Sequence, residues 1–235
     1  MDPQIRPLFE AASGLFSGAG KYAWHFARGK LSRDPIFFAL LKQGVFPDQG
    51  RLLDLGCGHG ILLALLVAAK EEFRLGRWPP GWPPPPLNLA LHGIDTHEER
   101  LRVARLALGE RVRLDLGDIR EVRTEPCSVI TLLDVLFYLD EAGQDRVLEN
   151  AARALGPGGL LLVREADADA GLAFRMTKWG ERIVELGRGH LRPRLCYRSA
   201  VRWVASLEAL GFAVSVEPMS AGTPFANMLF RARYR

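Results

Sequence analysis

The stretch RLLDLGCGHG, residues 51–60, places three glycines directly after a short apolar run. Gly56, Gly58 and Gly60 alternate with Cys57 and His59. Because glycine has no Cβ atom, a glycine-rich turn lets the backbone come close to a bound molecule. In an open α/β sheet, the turn after the first strand is a usual place for a ligand. The residues therefore predict a ligand-binding turn, in which the side chains of Cys57 and His59 perform no chemistry.

An acid, Asp54, lies inside the apolar run that precedes this turn. Dinucleotide-binding turns have the spacing G-x-G-x-x-G, whereas here the third glycine comes one residue earlier. A carboxylate at this position would repel a pyrophosphate, but it suits a ligand with an ammonium or sulfonium group. Since an unpaired charge in a buried strand is costly, we expect Asp54 to have a partner.

Strands and helices alternate along most of the chain. Apolar runs predict strands at RLLDLG, LNLALHGID, RVRLDLGD, SVITLLD and LLLVREA, and helical patterns lie between most of them. Thr96 and Ser199 are candidate helix caps, and GPGG, residues 156–159, predicts a turn. The last two runs, FAVSVEP and NMLFRARYR, have no helix between them and are expected to form an antiparallel hairpin. This order predicts an α/β fold with a mainly parallel sheet.

Two segments lie outside this alternation. Residues 1–47 contain the aromatic-rich helical patterns KYAWHF and DPIFFALL, and we expect a helical lid or cap there, in front of a domain at 48–235. Residues 76–87 contain RWPPGWPPPP. Because proline disfavours helix and sheet interiors, this second segment is expected to be an inserted surface loop. A proline-rich ligand for a signalling domain is the less favoured interpretation.

The composition is that of a chain able to bury a full core. About half of the 235 residues are hydrophobic, which favours one domain with at most a small appendage. Cys57, Cys127 and Cys196 form no CxxC pair, so neither a disulfide framework nor a metal site is indicated. No signal pattern is visible and the longest apolar run is too short to span a bilayer. A soluble, cytoplasmic protein is therefore expected.

The motif LLDLGCGHG resembles the first motif of the class I S-adenosylmethionine-dependent methyltransferases, in their small-molecule, Rossmann-like branch. GID, LGDI, DVLFYL and ALGPGGLLLVRE resemble further motifs of that family. The resemblance covers about residues 48–235 and implies a seven-stranded sheet in the order 3-2-1-4-5-7-6, with strand 7 antiparallel. It also implies that S-adenosylmethionine is the cofactor and that its methyl group is transferred.

The resemblance further assigns roles to single residues. It implies that Asp95 holds the ribose hydroxyls and that Asp118 faces the adenine amino group, with Ile119 beside the ring. Without the proline-rich insertion, the separation of Gly60 from Asp95 approaches the roughly 20 residues of the related dinucleotide turn. The expected cofactor-binding residues are Asp54, Gly56, Cys57, Gly58, Gly60, Asp95, Thr96, Asp118, Ile119 and Asp134.

Several acceptor classes are disfavoured by the sequence around the fourth strand. LDVLFYL lacks the D/N-P-P-Y/F pattern of enzymes that methylate amino groups of adenine or glutamine, and Pro126-Cys127 precedes the strand, whereas cytosine-C5 enzymes carry Pro-Cys after it. The charge is only mildly basic, +4, and no nucleic-acid module is visible. A small-molecule acceptor remains, methylated on oxygen rather than nitrogen or carbon. An RNA or protein methyltransferase, and a cofactor-binding regulator without catalysis, stay open as alternatives.

Methyl transfer from a sulfonium depends mainly on positioning, and a base is needed only for a protonated nucleophile. In such enzymes, segments before the first strand and after the fifth cover the acceptor. Aromatic side chains in them suit an aromatic or otherwise apolar acceptor. The candidates are Tyr138 for orienting the nucleophile, His25 and His190 as bases, and Tyr22, Trp24 and Arg194 for binding the substrate.

Basic residues are concentrated between residues 175 and 202, where the acids are only Glu181 and Glu185. The arginine fork binds carboxylates and phosphates through two oxygens at once. An acidic acceptor, or one bound to an acidic carrier protein, is therefore expected, and a solvated helix face is the alternative. The basic residues are Arg175, Lys178, Arg182, Arg188, Arg192, Arg194, Arg198 and Arg202.

Overall fold

The computed structural model describes residues 3–122, 125–174, 176–177 and 195–235. Among these residues, seven strands form one sheet in the order β3-β2-β1-β4-β5-β7-β6. The predicted fold class and strand order are confirmed. The strands are Gln49–Leu55 (β1), Asn88–Asp95 (β2), Arg113–Leu116 (β3), Cys127–Leu133 (β4), Leu155–Ala166 (β5), Phe212–Pro218 (β6) and Asn227–Tyr234 (β7).

Among the described residues, an α-helix lies in four of the six connections between consecutive strands, and three more make up much of the segment before β1. Within the described ranges, none of them is long and apolar enough to cross a membrane. The α-helices are Arg6–Gly14 (α1), Lys21–Arg33 (α2), Ile36–Lys42 (α3), Ile61–Arg74 (α4), Glu98–Leu108 (α5), Glu141–Ala154 (α6) and Ala200–Ala209 (α7).

Strand pairing places the carboxyl ends of β1 and β2 at the same edge of the sheet. The two strands are parallel, with Leu55 opposite Ile94, and β2 is in turn parallel to β3. Strand β7 runs the other way, because it is antiparallel to both of its neighbours, β5 and β6. The predicted C-terminal hairpin is thus confirmed.

Two compact units divide the chain: Met1–Ile119 with Cys127–Val129, and Arg120–Pro126 with Ile130–Arg235. In the first unit α1 packs on α4, and the nine residues from Ile61 to Ala69 are all buried, because this part of the helix is apolar on every side. In the second unit Trp203 and Phe230 are among the largest fully buried side chains. The expected lid boundary at residue 47 stays a prediction.

Two local expectations differ from the structure. Helix α5 has His97 as its N-cap residue, without a side-chain cap, so the prediction that Thr96 caps it was wrong. The helix begins at Glu98, so Thr96 lies one residue before the cap position. GPGG is assigned to the beginning of β5 rather than to a separate turn, although Gly158 has the positive φ, 77°, of a tight turn.

Other local expectations agree with the structure. Ser199 caps α7 by accepting the Arg202 N–H. The proline-rich segment contains neither helix nor strand, and it packs on itself. The Trp78 indole N–H donates to the Pro83 carbonyl at 3.0 Å, and the Trp78 ring meets Trp82 edge-on. Such packing disfavours an extended proline-rich ligand.

Two glycines give opposite predictions for stability. A Cβ at Gly93, in β2, would lie 2.8 Å from both Cys57 Sγ and Leu63 Cδ1, so Gly93→Ala should lower the free energy of unfolding by about 1–3 kcal/mol through overpacking. A Cβ at Gly29, inside α2, would meet nothing within 4 Å, so Gly29→Ala should raise it by about 0.5–1 kcal/mol. Urea unfolding of both variants checks this, and an equal effect at both positions would contradict the packing around Gly93.

Candidate active site

The glycine turn leaves β1 in a left-handed backbone conformation. Gly56, Gly58 and Gly60 have φ values of 77°, 56° and 75°. The N–H groups of Gly56 and Cys57 both donate to the Ile94 carbonyl, at 2.8 and 3.0 Å, which ties the turn to β2. A Cβ at Gly58 would meet nothing within 4 Å, whereas one at Gly60 would lie 3.0 Å from a Leu108 methyl. Gly58 therefore borders open space, and Gly60 is needed for packing.

Asp95 connects the end of β2 to this turn. Its side chain is buried, 5% exposed, and Oδ2 accepts the Gly58 N–H at 2.8 Å. Oδ1 accepts the His97 N–H and lies 3.1 Å from His97 Nδ1. Each carboxylate oxygen has two lone pairs, so this carboxylate can still accept hydrogen bonds from a ligand's hydroxyl groups. The structure thus brings together two of the predicted cofactor-binding residues.

Cys57 points away from the open side of the turn. Its Sγ lies close beneath the backbone of Gly93 in β2. Burial, with the carboxylates of the buried Asp54 and of Asp95, raises the pKa of the Cys57 thiol well above its ordinary value. The side chain stays a thiol, the unreactive form, which agrees with the prediction that it performs no chemistry.

The glycine turn has one contact that the sequence did not indicate. The ring of His59 packs on the ring of Phe26 in α2, with centroids 4.6 Å apart. No sequence pattern pairs two residues so far apart, and the aromatic content of α2 was the only available signal. Helix α2 therefore contacts the turn directly.

The residues after β3 are connected to the same strand end. The Gly117 N–H donates to the Asp95 carbonyl at 3.1 Å, which places Asp118 and the buried Ile119 immediately beyond β2 and β3. Thr96, the remaining cofactor candidate of this unit, is exposed and lies 3.1 Å from His97 Nδ1.

In the second unit, the turn after β4 begins with a strained residue. Asp134 has φ 57° and is the one non-glycine residue with positive φ in the described chain. The fully buried guanidinium of Arg164, in β5, binds its carboxylate through Nε at 2.8 Å and through Nη2. The Asp134 N–H donates to the Arg164 carbonyl at 3.0 Å. Asp134 was expected to bind the cofactor, and in this structure its carboxylate forms an ion pair with the buried Arg164.

The next residue of β5 binds the same turn through its side chain. Glu165 is 1% exposed, and its Oε1 accepts the N–H groups of Val135 and Leu136 at 3.2 and 2.7 Å. Burial, and then the nearby Asp134 carboxylate, raise the pKa of Glu165 well above its usual value. The sequence-based interpretation passed over Arg164 and Glu165, although two charges in an apolar strand were a signal.

An aromatic cluster, defined as Phe137, Tyr138, Phe174 and Tyr197, lies on this turn and its surroundings. Phe137 contacts Tyr138 at 4.3 Å between centroids and stacks on Tyr197 at 5.4 Å, with 17° between the ring planes. Phe174 meets Tyr197 edge-on at 5.1 Å. Tyr138 is 39% exposed. The cluster therefore presents one accessible ring backed by packed ones.

Gln144 of α6 fixes the backbone around this cluster. Its Nε2 donates to the carbonyls of Leu136, Leu139 and Cys196 at 3.1, 3.1 and 2.9 Å. A single buried amide thereby connects the turn after β4 to the segment that contains Tyr197.

The structure does not bring the other candidates for acceptor binding and catalysis together, and some of them lie outside the described residues. Tyr22 is 76% exposed, His25 is exposed, and Trp24 packs on Arg28 and on the His25 ring. Of the basic residues in 175–202, the two that are described in full bind acids of α6: Arg198 binds Asp145 and Arg202 binds Glu141. The candidates His190 and Arg194 lie outside the described residues, as do Arg175, Lys178, Arg182, Arg188 and Arg192.

Metal chemistry finds no support in the parts of the chain that the structure describes. Among them, no group of three or more His, Cys, Asp or Glu side chains could hold a metal ion.

Comparison with known proteins gives one family match. The model of a family described as "Methyltransferase domain" matches residues 23–215. A carboxy-S-adenosyl-L-methionine synthase from Chromohalobacter salexigens is 33% identical over 117 residues, which are 48% of this chain and 38% of that protein. The chain spans less than half the length of this curated relative.

Solved structures share the fold at low sequence identity. The pyocyanin biosynthetic protein PhzM has a TM-score of 0.64 at 21% identity, over 94% of this chain and 61% of that one. Magnesium protoporphyrin IX methyltransferase (ChlM) from Synechocystis PCC 6803, solved with bound SAH, has a TM-score of 0.60 at 16% identity, with both chains fully covered. At these identities the likeness shows the fold alone.

The bond between Asp95 and Gly58 leads to a binding prediction. Asp95→Ala should weaken the binding of S-adenosylhomocysteine about ten- to a hundredfold, because hydrogen bonds to a charged group contribute about 1.5–3 kcal/mol. Gly58→Val should weaken it further, since a branched side chain would fill the open space and strain the backbone. Titration calorimetry measures both effects, with Glu99→Ala as the control that removes an exposed charge nearby. Tighter binding of NAD by the wild type would contradict the assignment of this turn.

The buried acid gives a prediction about pH. A glutamate in the unfolded chain loses its proton near pH 4.3, whereas folded Glu165, which is buried and close to the Asp134 carboxylate, keeps its proton to a higher pH. Above that unfolded value the native state binds more protons, so the free energy of unfolding falls as pH rises until the folded pKa is passed. The glutamine in Glu165→Gln has no carboxyl proton to lose, so the free energy of unfolding of this variant should not fall in this way. Its Tm relative to wild type should therefore rise from about pH 5 upwards, and a constant difference in thermal scans would contradict the raised pKa.

Proposed function

The chain belongs to the methyltransferase-domain family, and from this we propose that it transfers a methyl group from S-adenosylmethionine to an oxygen of a small aromatic acceptor. The matched segment, residues 23–215, includes both the glycine turn and the turn after β4. Support for the donor comes from the first unit, and support for the acceptor from the second.

The residues of the glycine turn suit S-adenosylmethionine. Gly58 leaves space at its backbone, and Asp95 keeps lone pairs for the ribose hydroxyls beside the Gly58 amide. Asp54 and Asp95 are buried acids around the turn, and their negative charge favours a cationic ligand over a pyrophosphate. The donor supplies a methyl group that its sulfonium already activates. The task of this chain is therefore to bind, orient and exclude water.

The aromatic cluster is the observation that supports an aromatic acceptor. Tyr138 offers a partly exposed ring, which contacts Phe137, and Phe137 in turn stacks on Tyr197. A planar acceptor can stack on such a surface, while the Tyr138 hydroxyl orients the acceptor oxygen. Positioning of this kind supplies most of the catalysis when the leaving group is already activated.

Fewer contacts support two further proposed roles, a lid over the donor and the binding of an acidic acceptor. The helices before β1 would cover the bound donor, and the Phe26–His59 contact supports this lid. An acidic acceptor or carrier protein would depend on basic residues outside the described ranges, because Arg198 and Arg202 are engaged by acids of α6. The base candidates His25 and His190, and the substrate-binding candidates Tyr22, Trp24 and Arg194, stay proposals.

A second candidate function follows from the curated relatives. They are carboxy-S-adenosyl-L-methionine synthases, and the matched part of this chain could belong to a protein that modifies S-adenosylmethionine instead of passing on its methyl group. The two functions differ in their nucleoside product, which is S-adenosylhomocysteine for methyl transfer and carboxy-S-adenosylmethionine for the synthase.

An acceptor screen tests the proposal. The purified protein is incubated with S-adenosylmethionine and, in separate reactions, with phenols, aromatic acids, aliphatic acids, amines, RNA or protein, and mass spectrometry identifies the nucleoside product and the methylated acceptor. We expect S-adenosylhomocysteine and an O-methylated aromatic compound. Carboxy-S-adenosylmethionine, or methylation of RNA or protein only, would contradict the proposal.

With a substrate in hand, Tyr138 can be tested directly. Tyr138→Leu should lower kcat/KM about ten- to a hundredfold, a loss of about 1.4–2.7 kcal/mol of transition-state stabilisation, because the ring and its hydroxyl are both removed. Tyr138→Phe should retain acceptor stacking and lose only the contribution of the hydroxyl. Tyr234→Phe, in β7, is the matched control. Equal kcat/KM for Tyr138→Leu and wild type would remove Tyr138 from the site.

A further inference from the structure

We propose that Arg164 and Glu165 form a clamp that fixes the turn after β4, so that Tyr138 is positioned before any acceptor arrives. The clamp is the pair of side chains together with the backbone of Asp134, Val135 and Leu136 that they bind. Both are positioning residues. The inference rests on the proposed function, since that function makes Tyr138 the residue that contacts the acceptor.

The two clamp residues approach the turn from opposite faces of the sheet. Successive side chains of a strand point to opposite faces, and Arg164 and Glu165 are consecutive in β5. Nevertheless, both bind the same turn: Arg164 binds the Asp134 carboxylate, and Glu165 binds the backbone N–H groups of the two next residues. Rotation of the turn in either direction would break one of these sets of bonds.

The turn needs such a clamp because its first residue is strained. Left-handed backbone costs an L-residue about 1–2 kcal/mol, and Asp134 has φ 57°. Such conformations persist only where the surroundings impose them, and they cluster at functional sites. The Asp134 N–H bond to the Arg164 carbonyl adds a backbone restraint to the bonds between their side chains.

Stability alone does not account for an arginine and a glutamic acid at these positions. Arg164 and Glu165 are each 1% exposed, and burial of a polar side chain costs free energy unless it is hydrogen-bonded. An apolar strand would serve the core at least as well. These two side chains form hydrogen bonds to one conformation of the turn, and apolar side chains cannot form them.

The hydrogen bonds of Glu165 indicate the protonation state in which its carboxyl group can hold the turn. Oε1 accepts both N–H groups, while the buried Oε2 has no hydrogen-bond partner. One accepting oxygen is sufficient, so a neutral carboxylic acid performs the role. A glutamine also presents one carbonyl oxygen, and Glu165→Gln should therefore preserve the clamp, whereas Glu165→Leu removes it.

Fluorine NMR of protein labelled with 3-fluorotyrosine reports the conformation of Tyr138 without any substrate. The chain has four tyrosines, and Tyr138→Phe identifies the resonance. We expect a single narrow Tyr138 line in wild type and in Glu165→Gln, and a broadened or doubled line in Glu165→Leu. Arg164→Lys, which keeps the charge but loses the two-pronged fork, should change the line in the same way and serves if Glu165→Leu fails to fold.

The control is a second buried glutamate in the other unit. Glu72 is buried and bound by the exposed Arg77, so Glu72→Leu also removes a buried, hydrogen-bonded glutamate but leaves the turn after β4 intact. Its Tyr138 line should remain that of wild type. An unchanged Tyr138 line in folded Glu165→Leu and Arg164→Lys, or a line in Glu165→Gln like that in Glu165→Leu, would overturn the clamp.

Kinetics with the acceptor found by the screen give the functional result. Small misplacements of reacting groups can cost about a hundredfold in rate, so Glu165→Leu should lower kcat about ten- to a hundredfold without changing the KM for the donor. Glu165→Gln should restore the rate. Calorimetry with S-adenosylhomocysteine separates the two claims: no binding by wild type would refute the proposed function, whereas normal binding with an unchanged kcat in Glu165→Leu would refute the clamp.

Discussion

One hydrogen bond, from the Gly58 N–H to the Asp95 carboxylate, organises the first unit. It joins the turn that leaves β1 to the end of β2, and the bonds of Gly56 and Cys57 to the Ile94 carbonyl reinforce the junction. A negative charge is thereby held beside an open stretch of backbone. The burial of Cys57 beneath the turn and the contact of His59 with Phe26 both depend on this geometry.

In the second unit, the turn after a strand is also held by an acid, but the other residues involved are different. There the turn after β4 contains no glycine, so a strained aspartate and two buried side chains of β5 define its shape. Gln144 adds bonds to three backbone carbonyls. In both units an acid at or beside a strand end accepts backbone N–H groups of a turn, and these bonds account for Asp95 in β2 and Glu165 in β5.

The order of strands and helices could be predicted because each element has its own periodicity, and the hairpin of FAVSVEP and NMLFRARYR followed from the missing helix. Asp95 could be found because it ends a readable strand. Arg164 and Glu165 could not be assigned, since their partners lie about 30 residues earlier and only tertiary structure pairs them. Thr96 was predicted as a cap because threonine is a good capping residue in general, but α5 begins one residue later, with His97 at the cap position.

The central claim is that this member of the methyltransferase-domain family passes the methyl group of S-adenosylmethionine to a small aromatic molecule. The most direct measurement supplies the protein with S-adenosylmethionine whose methyl group carries deuterium, adds a fractionated cell extract, and follows the label by mass spectrometry. The account predicts that all three deuterium atoms appear together in one aromatic metabolite of low mass, with unlabelled S-adenosylhomocysteine as the second product. Label found only in RNA or protein, or retained in a modified donor, would contradict it.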